Sequence, residues 1–325
     1  MKRVIVIGSK GQDGRLLCER LIRNSCAVLG IANGTIESTE ACNFLKVDIS
    51  DRHDVLERVK SWRPDEIYYL AAFHHSSQDA ISDDPIEIFN KSHSVHVTGL
   101  LHFLEAIRMT SLSTRLFYAA SSLVFGASPD EVQNEATPMN PRCVYGITKA
   151  SGIHCCRYYR ATHGVYAASG FLYNHESPYR AEKFVSQKII RRAVDIYRGG
   201  SETLILGDLS ARIDWGYAPD FVEAMSRILS LPEAHEFVVA TGETHTVQEF
   251  VEITFKRLGL NWKKHVKENP ALLNRRNPPS FGDASKLRRL TDWRPTVSFE
   301  KLVETLLDAE LGNRIRLSLT EMPPP

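Results

Sequence analysis

Three side chains in the middle of the chain have the types and spacing of a proton-transfer site. Tyr145 and Lys149 are four residues apart, so on a helix they share one face, where the ammonium group can depress the pKa of the phenol. Such a phenol can act as a general base toward a hydroxyl group that is being oxidised. Ser121 follows an apolar segment and is expected to hydrogen-bond that hydroxyl. Alone, a Tyr-x-x-x-Lys pair is more often a surface or packing pair, so the interpretation depends on its context.

A glycine-rich turn near the start of the chain supplies that context. The run G-S-K-G-Q-D-G at residues 8–14 lies between the first apolar segment and an amphipathic one. Glycines at a strand-to-helix turn let a pyrophosphate approach the backbone, and the helix N-terminus attracts its negative charge. The sequence therefore predicts a dinucleotide site that includes Gly8, Gly11, Gln12, Asp13 and Gly14.

The identity of the dinucleotide depends on the residue that contacts the adenosine ribose. At the end of the second predicted strand the chain has Asn33, which is neither the acid typical of NAD nor the Arg typical of NADP. NAD and NADP both stay open. Asp48, after the third predicted strand, either caps the next helix or contacts the adenine.

The elements that position these residues alternate along the first half of the chain. Short apolar segments alternate with amphipathic ones, which predicts βαβ units around a parallel sheet in an α/β fold. The apolar runs are nearly continuous, as expected for strands covered on both faces. The predicted strands are residues 4–7, 27–32, 44–47, 66–70, 116–120 and 165–172. Prolines break the second half into shorter elements, where residues 203–206 and 237–240 either belong to a smaller lobe or return to the main sheet.

Composition excludes several classes of protein. The 325 residues include 40 Lys+Arg and 39 Asp+Glu, and this balance disfavours nucleic-acid binding. A hydrophobic content of 43% excludes disorder. No stretch approaches a membrane span or a signal peptide, and the six cysteines lack zinc-type spacing. We therefore expect a cytoplasmic, soluble protein with reduced thiols and no membrane partner.

Short motifs over nearly the whole chain resemble the extended short-chain dehydrogenase/reductase family, most closely its GDP-mannose 4,6-dehydratase subgroup. The resemblance implies a Rossmann-type doubly wound parallel sheet in residues 1–172 and a smaller C-terminal α/β lobe, residues 173–325, that binds a nucleotide sugar. The matching motifs are Gly11-Gln12-Asp13-Gly14, Pro64-Asp65-Glu66-Ile67-Tyr68, Leu70-Ala71-Ala72, Leu104-Glu105-Ala106-Ile107-Arg108, Asn174-His175-Glu176-Ser177-Pro178, Asp214-Trp215-Gly216-Tyr217-Ala218, Ala240-Thr241-Gly242 and Gly282-Asp283.

The resemblance also implies roles for individual residues. Ser121, Tyr145 and Lys149 match the catalytic positions of a family in which a nicotinamide cofactor takes a hydride from sugar C4. Cofactor contacts are expected from Leu70, Ala71 and Ala72 as well as from the glycine turn, Asn33, Asp48, Tyr145 and Lys149. Substrate contacts are expected from His74, Ser122, Asn174, Glu176, Lys188, Arg212 and Arg276, with Arg275 as an alternative to Arg276. A GDP-sugar is favoured.

The chain departs from this family at the residue that removes water. The dehydratases have a Glu two residues after the catalytic Ser or Thr, and this chain has Leu123, which cannot transfer a proton. We therefore expect a 4-epimerase, 4-keto reductase or 4-dehydrogenase acting on a GDP-linked hexose or heptose. One alternative is a 4,6-dehydratase in which His74, His75 or Glu176 replaces the acid. A second alternative is a non-catalytic dinucleotide-binding protein.

Smaller features bear on the nucleotide, the assembly and metal binding. Ile213 stands where the subgroup usually has Arg, so base or phosphate recognition is expected to differ. The resemblance implies a long basic loop after the second strand, which in the dehydratases binds the NADP phosphate and helps build a tetramer, and this loop is shortened here to about residues 33–43. A homodimer through helices near residues 95–108 and 145–162 is therefore the simpler expectation. His74, His75, His93 and His96 lack regularly spaced acidic partners, so no metal is predicted, and one or more of them should line the rim of the site. His175 and Glu176 either touch substrate or form a buried pair.

Overall fold

A seven-stranded parallel sheet forms the centre of the molecule. The computed structural model describes residues 1–33, 42–74, 84–273 and 280–320, with side chains described as far as residue 312. The strands in the described ranges are β1 Arg3–Ile7, β2 Ala27–Ile31, β3 Cys42–Leu45, β4 Glu66–Tyr69, β5 Arg115–Ala119, β6 Val132–Gln133, β7 Ala167–Leu172, β8 Asn174–Glu176, β9 Leu204–Leu206, β10 Arg212–Ile213, β11 Trp215–Tyr217, β12 Glu236–Val239, β13 His245–Thr246, β14 Val266–Glu268 and β15 Phe281–Gly282. The strand order in the large sheet is β3-β2-β1-β4-β5-β7-β12.

Helices cover both faces of the sheet, as the continuous apolar strands require. Val4, Ile67 and Phe117 on three adjacent strands are fully buried. The helices are α1 Gln12–Arg23, α2 Arg52–Trp62, α3 Pro85–His93, α4 Gly99–Thr110, α5 Val144–His163, α6 Val185–Tyr197, α7 Ala218–Ser230, α8 Val247–Arg257, α9 Ser285–Thr291 and α10 Phe299–Thr320, and a π-helical turn, Ser94–Thr98, joins α3 to α4. The predicted Rossmann-type α/β fold is confirmed.

The chain order of the strands determines where a ligand can bind. Strand order reverses between β1 and β4, which leaves a crevice at the carboxyl edge of a parallel sheet. The turn after β1 begins at Gly8, and the segments after β4 and β5 begin at Leu70 and Ala120. The topology therefore brings the glycine turn and the predicted catalytic residues to one edge.

The smaller lobe has a hydrophobic core of its own. Helices α6, α8 and α10 pack around β9 and β11, and Ile190, Trp215, Phe250 and Phe299 are among the buried side chains. Strand β9 pairs with β14, so residues 204–206 stay in this lobe. By contrast, β12 pairs with β7, so the segment around residues 237–240 returns to the main sheet. Helices α7 and α9 pack on the main core as well.

Sequence and structure differ most at the third strand. The apolar run predicted residues 44–47, whereas β3 covers Cys42–Leu45 because its register pairs Leu45 with Ile31 at the end of β2. Val47 is buried beyond the strand and lines the cavity described below. Among the helices in the described ranges, none combines the length and apolar character that crossing a membrane needs.

Candidate active site

A cavity of about 960 Å³ opens at the carboxyl edge of the sheet, between the glycine turn and the smaller lobe. Its walls come from the turns after β1, β4 and β5, the first turns of α5, and lobe residues 206–214. It is lined by most of the residues predicted from the sequence, namely Gly8, Gly11, Gln12, Asp13, Gly14, Asn33, Leu70, Ala71, Ala72, His74, Ser121, Ser122, Tyr145, Lys149, Asn174 and Arg212.

The glycine turn has no room for side chains. Gly8 has a φ of +86°, and a Cβ built there would lie 2.8 Å from the backbone nitrogen of Ala71. A Cβ at Gly14 would lie 2.2 Å from the carbonyl oxygen of Gly8. Within the described chain no side chain caps the N-terminus of α1 at Gly11, so its first N–H groups stay available to an anion. This cradle fits the pyrophosphate of a dinucleotide.

Lys149 is the most deeply buried of the predicted catalytic residues. Only 1% of Lys149 is exposed, and its Nζ donates a hydrogen bond to the carbonyl oxygen of Ala119 at 2.6 Å. The same Nζ lies 5.7 Å from the ring centre of Tyr145, one helical turn earlier. Burial disfavours the charged form and lowers the pKa of Lys149 to about 7. At neutral pH, Lys149 is therefore poised between its charged and neutral forms.

The pKa of Tyr145 moves in the direction opposite to the sequence-based expectation. Burial raises the pKa of the Tyr145 phenol, and the nearby positive charge of Arg180 only partly opposes this rise. The direction is therefore opposite to the expected lowering by Lys149, because burial dominates. The Tyr145 phenol is protonated at neutral pH.

Ser121 and Leu123 lie together in the short turn after β5. Ser121 begins the 3₁₀ turn Ser122–Val124, and its Oγ accepts a hydrogen bond from the backbone nitrogen of Leu123 at 3.2 Å. Leu123 also lines the cavity.

The acids that line the cavity, within the described part of the chain, are bound to its walls. They are Asp13, Asp208 and Asp214. Asp13 contacts His175, and Asp208 accepts hydrogen bonds from the backbone and hydroxyl of Ser210. Burial raises the pKa of Asp214, and its carboxylate accepts hydrogen bonds from Thr241, Gly242 and Gly282. The carboxylates thus have structural partners.

His96 connects three segments of the site without entering a metal cluster. Its Nε2 accepts a hydrogen bond from the backbone nitrogen of Phe73 at 3.0 Å, so its Nδ1 carries the proton and donates to Thr148 Oγ1 at 2.8 Å. Burial lowers the pKa of His96 to about 2, which keeps the ring neutral. Among the described residues, no group of three or more His, Cys, Asp or Glu could hold a metal ion.

His74, like His96, packs against Tyr145. Its ring centre lies 4.9 Å from that of Tyr145 and 5.1 Å from that of Phe184. His75 and Arg276, together with Arg275, lie outside the described residues. His93 is exposed on α3.

The segment after β7 divides its residues between the cavity and the interior. Asn174 is exposed to the cavity, whereas His175 and Glu176 are buried. Glu176 accepts a hydrogen bond from Ser186 Oγ at 2.6 Å and pairs with Arg180, 3.3 Å from its Nε. Glu176 therefore supports the cavity wall from behind and is not exposed to a substrate. His175 and Glu176 also do not pair with each other, because each is bound to other residues.

Three further predicted residues have distinct positions. Arg212 lines the cavity, and its guanidinium donates to Thr244 Oγ1 and O, each at 3.0 Å. Lys188 lies one turn along α6 from Phe184, which lines the cavity, and burial lowers its pKa. Asp48 lies outside the lining residues and binds Ser50, while Asp51 caps α2.

Among the described residues, sequence reasoning missed three cations in the cavity wall: Lys10 in the glycine turn, and Arg180 and Lys183 farther along the chain. Arg180 and Lys183 both line the cavity, and the Arg180 guanidinium lies 3.6 Å from the ring centre of Phe184. Lys183 Nζ donates a hydrogen bond to the backbone oxygen of His74 at 3.0 Å. The available signal for Arg180 and Lys183 was their position directly after the Asn-His-Glu-Ser-Pro motif.

Comparison with known proteins agrees with this geometry. Residues 5–306 match the family model described as GDP-mannose 4,6 dehydratase. GDP-mannose 4,6 dehydratase 1 of Arabidopsis thaliana is 36% identical over 331 residues, which cover 95% of this chain and 90% of that protein. The chain belongs to the GDP-mannose 4,6-dehydratase family. The recognition made from the motifs is confirmed, and with it the prediction of a short-chain dehydrogenase/reductase enzyme.

Solved structures of related enzymes share the fold of this family member. A UDP-glucose 4-epimerase of Thermus thermophilus in complex with NAD superposes with a TM-score of 0.80 at 25% identity, covering 95% of this chain and 99% of the other. A dTDP-glucose 4,6-dehydratase of Bacillus anthracis in complex with NAD gives a TM-score of 0.83 at 18% identity, covering 97% and 98%. Epimerases and dehydratases therefore share this scaffold, and individual residues must distinguish their reactions.

Proposed function

We propose that this family member is an NAD(P)-dependent enzyme that transfers a hydride at C4 of a nucleotide sugar without eliminating water. It would act as a 4-epimerase, a 4-keto reductase or a 4-dehydrogenase. The observation that carries this proposal is Leu123, which lines the cavity two residues after Ser121, where the dehydratases have a Glu. A leucine cannot move the protons that loss of water across C5 and C6 requires.

The described residues can carry the proton transfer at C4. The Tyr145 phenolate takes the proton of the C4 hydroxyl, and the Ser121 hydroxyl holds that oxygen by a hydrogen bond. A bound oxidised nicotinamide would supply the hydride acceptor and a positive charge that favours the phenolate form of Tyr145. When Lys149 is protonated, its ammonium group stabilises the same phenolate. The ammonium group also donates a hydrogen bond to the carbonyl oxygen of Ala119. The walls limit water access, since Tyr145 and Lys149 are both largely enclosed.

The lobe wall fits a nucleoside diphosphate, and family membership favours GDP. Arg212 is held by Thr244 at the cavity, and Asn174 and Arg180 face the same space. Cationic and amide groups at this wall can bind the two phosphates. Ile213 contributes an apolar side chain where the subgroup has Arg, so we propose that the base or phosphate is recognised differently here.

A 4,6-dehydratase with a substitute acid is the second candidate, and one contact favours it. The His74 ring lies 4.9 Å from the Tyr145 ring inside the cavity, where an imidazole could move a proton. Glu176 is a poorer substitute because it is 1% exposed and bonded to Ser186 and Arg180.

We also propose that the protein forms a homodimer through an exposed stripe on α5. Ile147, Ser151, His154 and Tyr158 recur at helical spacing, and Ile147 and Tyr158 are 40% and 56% exposed. Large exposed apolar side chains along one helix favour association with a matching helix.

Mass spectrometry of the product tests the proposed reaction. The purified protein is incubated with GDP-mannose, and separately with a GDP-heptose, in the presence of NAD or NADP. A product of unchanged mass but new retention time indicates epimerisation. Loss of two hydrogens, with reduction of the dinucleotide, indicates a 4-dehydrogenase or a 4-keto reductase running in reverse. A product lacking one water would contradict the proposal and favour the dehydratase candidate.

A further inference from the structure

A buried ion pair joins the glycine turn to the wall of the smaller lobe. Asp13, the second residue of α1, lines the cavity, and both of its carboxylate oxygens lie 3.0 Å from His175 Nε2. The other ring nitrogen, His175 Nδ1, lies 2.6 Å from the carbonyl oxygen of Tyr173. A carbonyl and a carboxylate only accept hydrogen bonds, so both ring nitrogens donate and the imidazole is positively charged.

The surroundings of the ring are consistent with this charge. Burial disfavours it, but the Asp13 carboxylate outweighs burial and raises the pKa of His175. His175 in turn holds the pKa of Asp13 below its ordinary value despite burial. Arg180 is the other charged group that acts on the ring, and it opposes the positive charge. From α7, the neutral ring of Phe221 stacks on His175 at 4.5 Å.

The neighbouring residue makes a second connection to the same segment. Gln12 Nε2 donates to the carbonyl oxygen of His175 at 3.0 Å, and Gln12 Oε1 accepts from Ser177 Oγ at 2.9 Å. Both residues between Gly11 and Gly14 are thus bound to residues 175–177. These contacts fix β8, whose Asn174 faces the cavity.

The arrangement carries an electrostatic cost that His175 removes. Asp13 places a carboxylate in the first turn of the helix whose N-terminus is expected to bind phosphates. Like charges repel strongly in a poorly solvated site, so an unpaired carboxylate here would oppose a pyrophosphate.

We propose that His175 is a positioning residue that neutralises Asp13, so that the glycine turn binds dinucleotide phosphates while the same pair fixes the substrate-side strand β8. This inference rests on the dinucleotide site of the proposed function. It gives the Gly-Gln-Asp-Gly and Asn-His-Glu-Ser-Pro motifs a joint role, although Asp13 and His175 are 162 positions apart in the sequence.

Dinucleotide affinity tests the charge directly, without a need for turnover. The dissociation constants of NAD and NADP are measured by titration calorimetry for the wild type, His175→Gln and the double variant Asp13→Asn/His175→Gln. We expect His175→Gln to weaken binding by about tenfold or more, because it removes the positive charge that neutralises the Asp13 carboxylate. The double variant removes both charges and should bind within about threefold of the wild type.

The control removes a carboxylate far from the cavity. Asp308→Asn breaks the exposed pair with Arg257 and should leave the dissociation constants unchanged. The inference is overturned if His175→Gln binds like the wild type, or if the double variant is as weak as His175→Gln, since packing alone would then explain the contact. If the wild type binds neither dinucleotide, the proposed function is wrong, and this inference is wrong as well because it rests on that function.

A second measurement needs no variant at His175. As pH rises through the raised pKa of His175, the ring loses its charge while Asp13 stays ionised, so wild-type affinity for NAD should fall. In Asp13→Asn no carboxylate remains, so the fall should be smaller, whereas Lys149 titrates in both proteins and Tyr145 in neither. Identical profiles between about pH 6 and pH 9 would contradict the inference.

Discussion

At the scale of single residues, the proposed reaction depends on the proton held by Tyr145. Burial raises the pKa of this phenol, so Tyr145 is protonated at neutral pH, and burial lowers the pKa of Lys149 to about 7. In the proposed reaction, the positive charge of an oxidised nicotinamide would favour the phenolate. Proton transfer would then depend on dinucleotide binding.

Tyr145→Phe should abolish turnover while preserving binding. The variant keeps the ring that packs against His74 and His96 but removes the hydroxyl, so we expect a loss of about 10²- to 10⁴-fold in turnover. The dissociation constant of NAD or NADP should change by less than about threefold. Steady-state kinetics and calorimetry check the two parts, with Tyr158→Phe on the exposed face of α5 as the control. Unchanged turnover in Tyr145→Phe would favour a non-catalytic dinucleotide-binding protein.

At the scale of elements, the π-helical turn Ser94–Thr98 fixes the catalytic helix. His96 in this turn bonds the backbone nitrogen of Phe73 after β4 and the hydroxyl of Thr148, the residue before Lys149. A π-turn often marks a functional position, because the extra residue redirects side chains. Here it places one ring between the cofactor-side loop and α5.

His96→Phe should destabilise the protein because it leaves the backbone nitrogen of Phe73 without its hydrogen-bond acceptor. The Thr148 hydroxyl loses the bond from His96 but still donates to the backbone of α5. We expect the free energy of unfolding to fall by about 1–3 kcal/mol, the cost of one buried unsatisfied group. Urea denaturation at neutral pH measures this change. His93→Phe, at an exposed histidine of α3, is the matched control and should change stability by less than about 0.5 kcal/mol. Equal stability of the two variants would contradict the role given to His96.

Local signals predicted the elements that contain the chemistry. The glycine run, each apolar strand and the Tyr-x-x-x-Lys pair are signals only a few residues long. Each of them predicts the turn, strand or helix in which it lies. The third strand was misplaced by two residues because register with β2, and not apolar content, defines it.

Contacts between distant residues could not be predicted from such signals. Asp13 meets His175 across 162 residues, and His96 meets Thr148 across 52. The motif containing Glu176 predicts a substrate contact, but Glu176 is buried. The orientation of side chains on the three-residue strand β8 depends on its packing against β11, which the motif does not encode.

At the scale of the whole molecule, the buried Lys149 makes stability depend on pH. Its folded pKa of about 7 is below the value of about 10.4 for an unfolded lysine, so the unfolded chain binds more protons between these two pH values. Stability therefore rises with pH in this interval, and the cost of burying the charge is fully present below it.

Lys149→Met should remove this contribution. We expect the wild type without dinucleotide to gain more unfolding free energy between about pH 7 and pH 9.5 than the variant does. Urea denaturation at the two pH values measures the difference, and Lys301→Met, at a lysine 63% exposed, provides the control. A wild type whose pH dependence equals that of Lys149→Met would show that the ammonium is not buried as described.

The proposed dimer also belongs to this scale. Tyr158→Glu places a charge in the α5 stripe and should shift the protein from dimer to monomer in sedimentation velocity at micromolar concentration. Tyr197→Glu on α6 is matched in exposure, at 55% against 56%, and should leave the assembly unchanged. If both variants sediment like the wild type, the interface lies elsewhere or does not exist.

The exchange of carbon-bound hydrogen with solvent tests the central claim most directly. The wild type, Leu123→Glu and Leu123→Gln are incubated with GDP-mannose and the dinucleotide in heavy water, and the products are analysed by mass spectrometry and NMR. A dehydratase must remove the C5 proton and later return one from solvent, whereas hydride transfer at C4 need not touch C5. We predict no deuterium at C5 and no loss of water for the wild type or Leu123→Gln, and the appearance of both in Leu123→Glu. A wild-type product that lacks one water and carries deuterium at C5 would contradict the account.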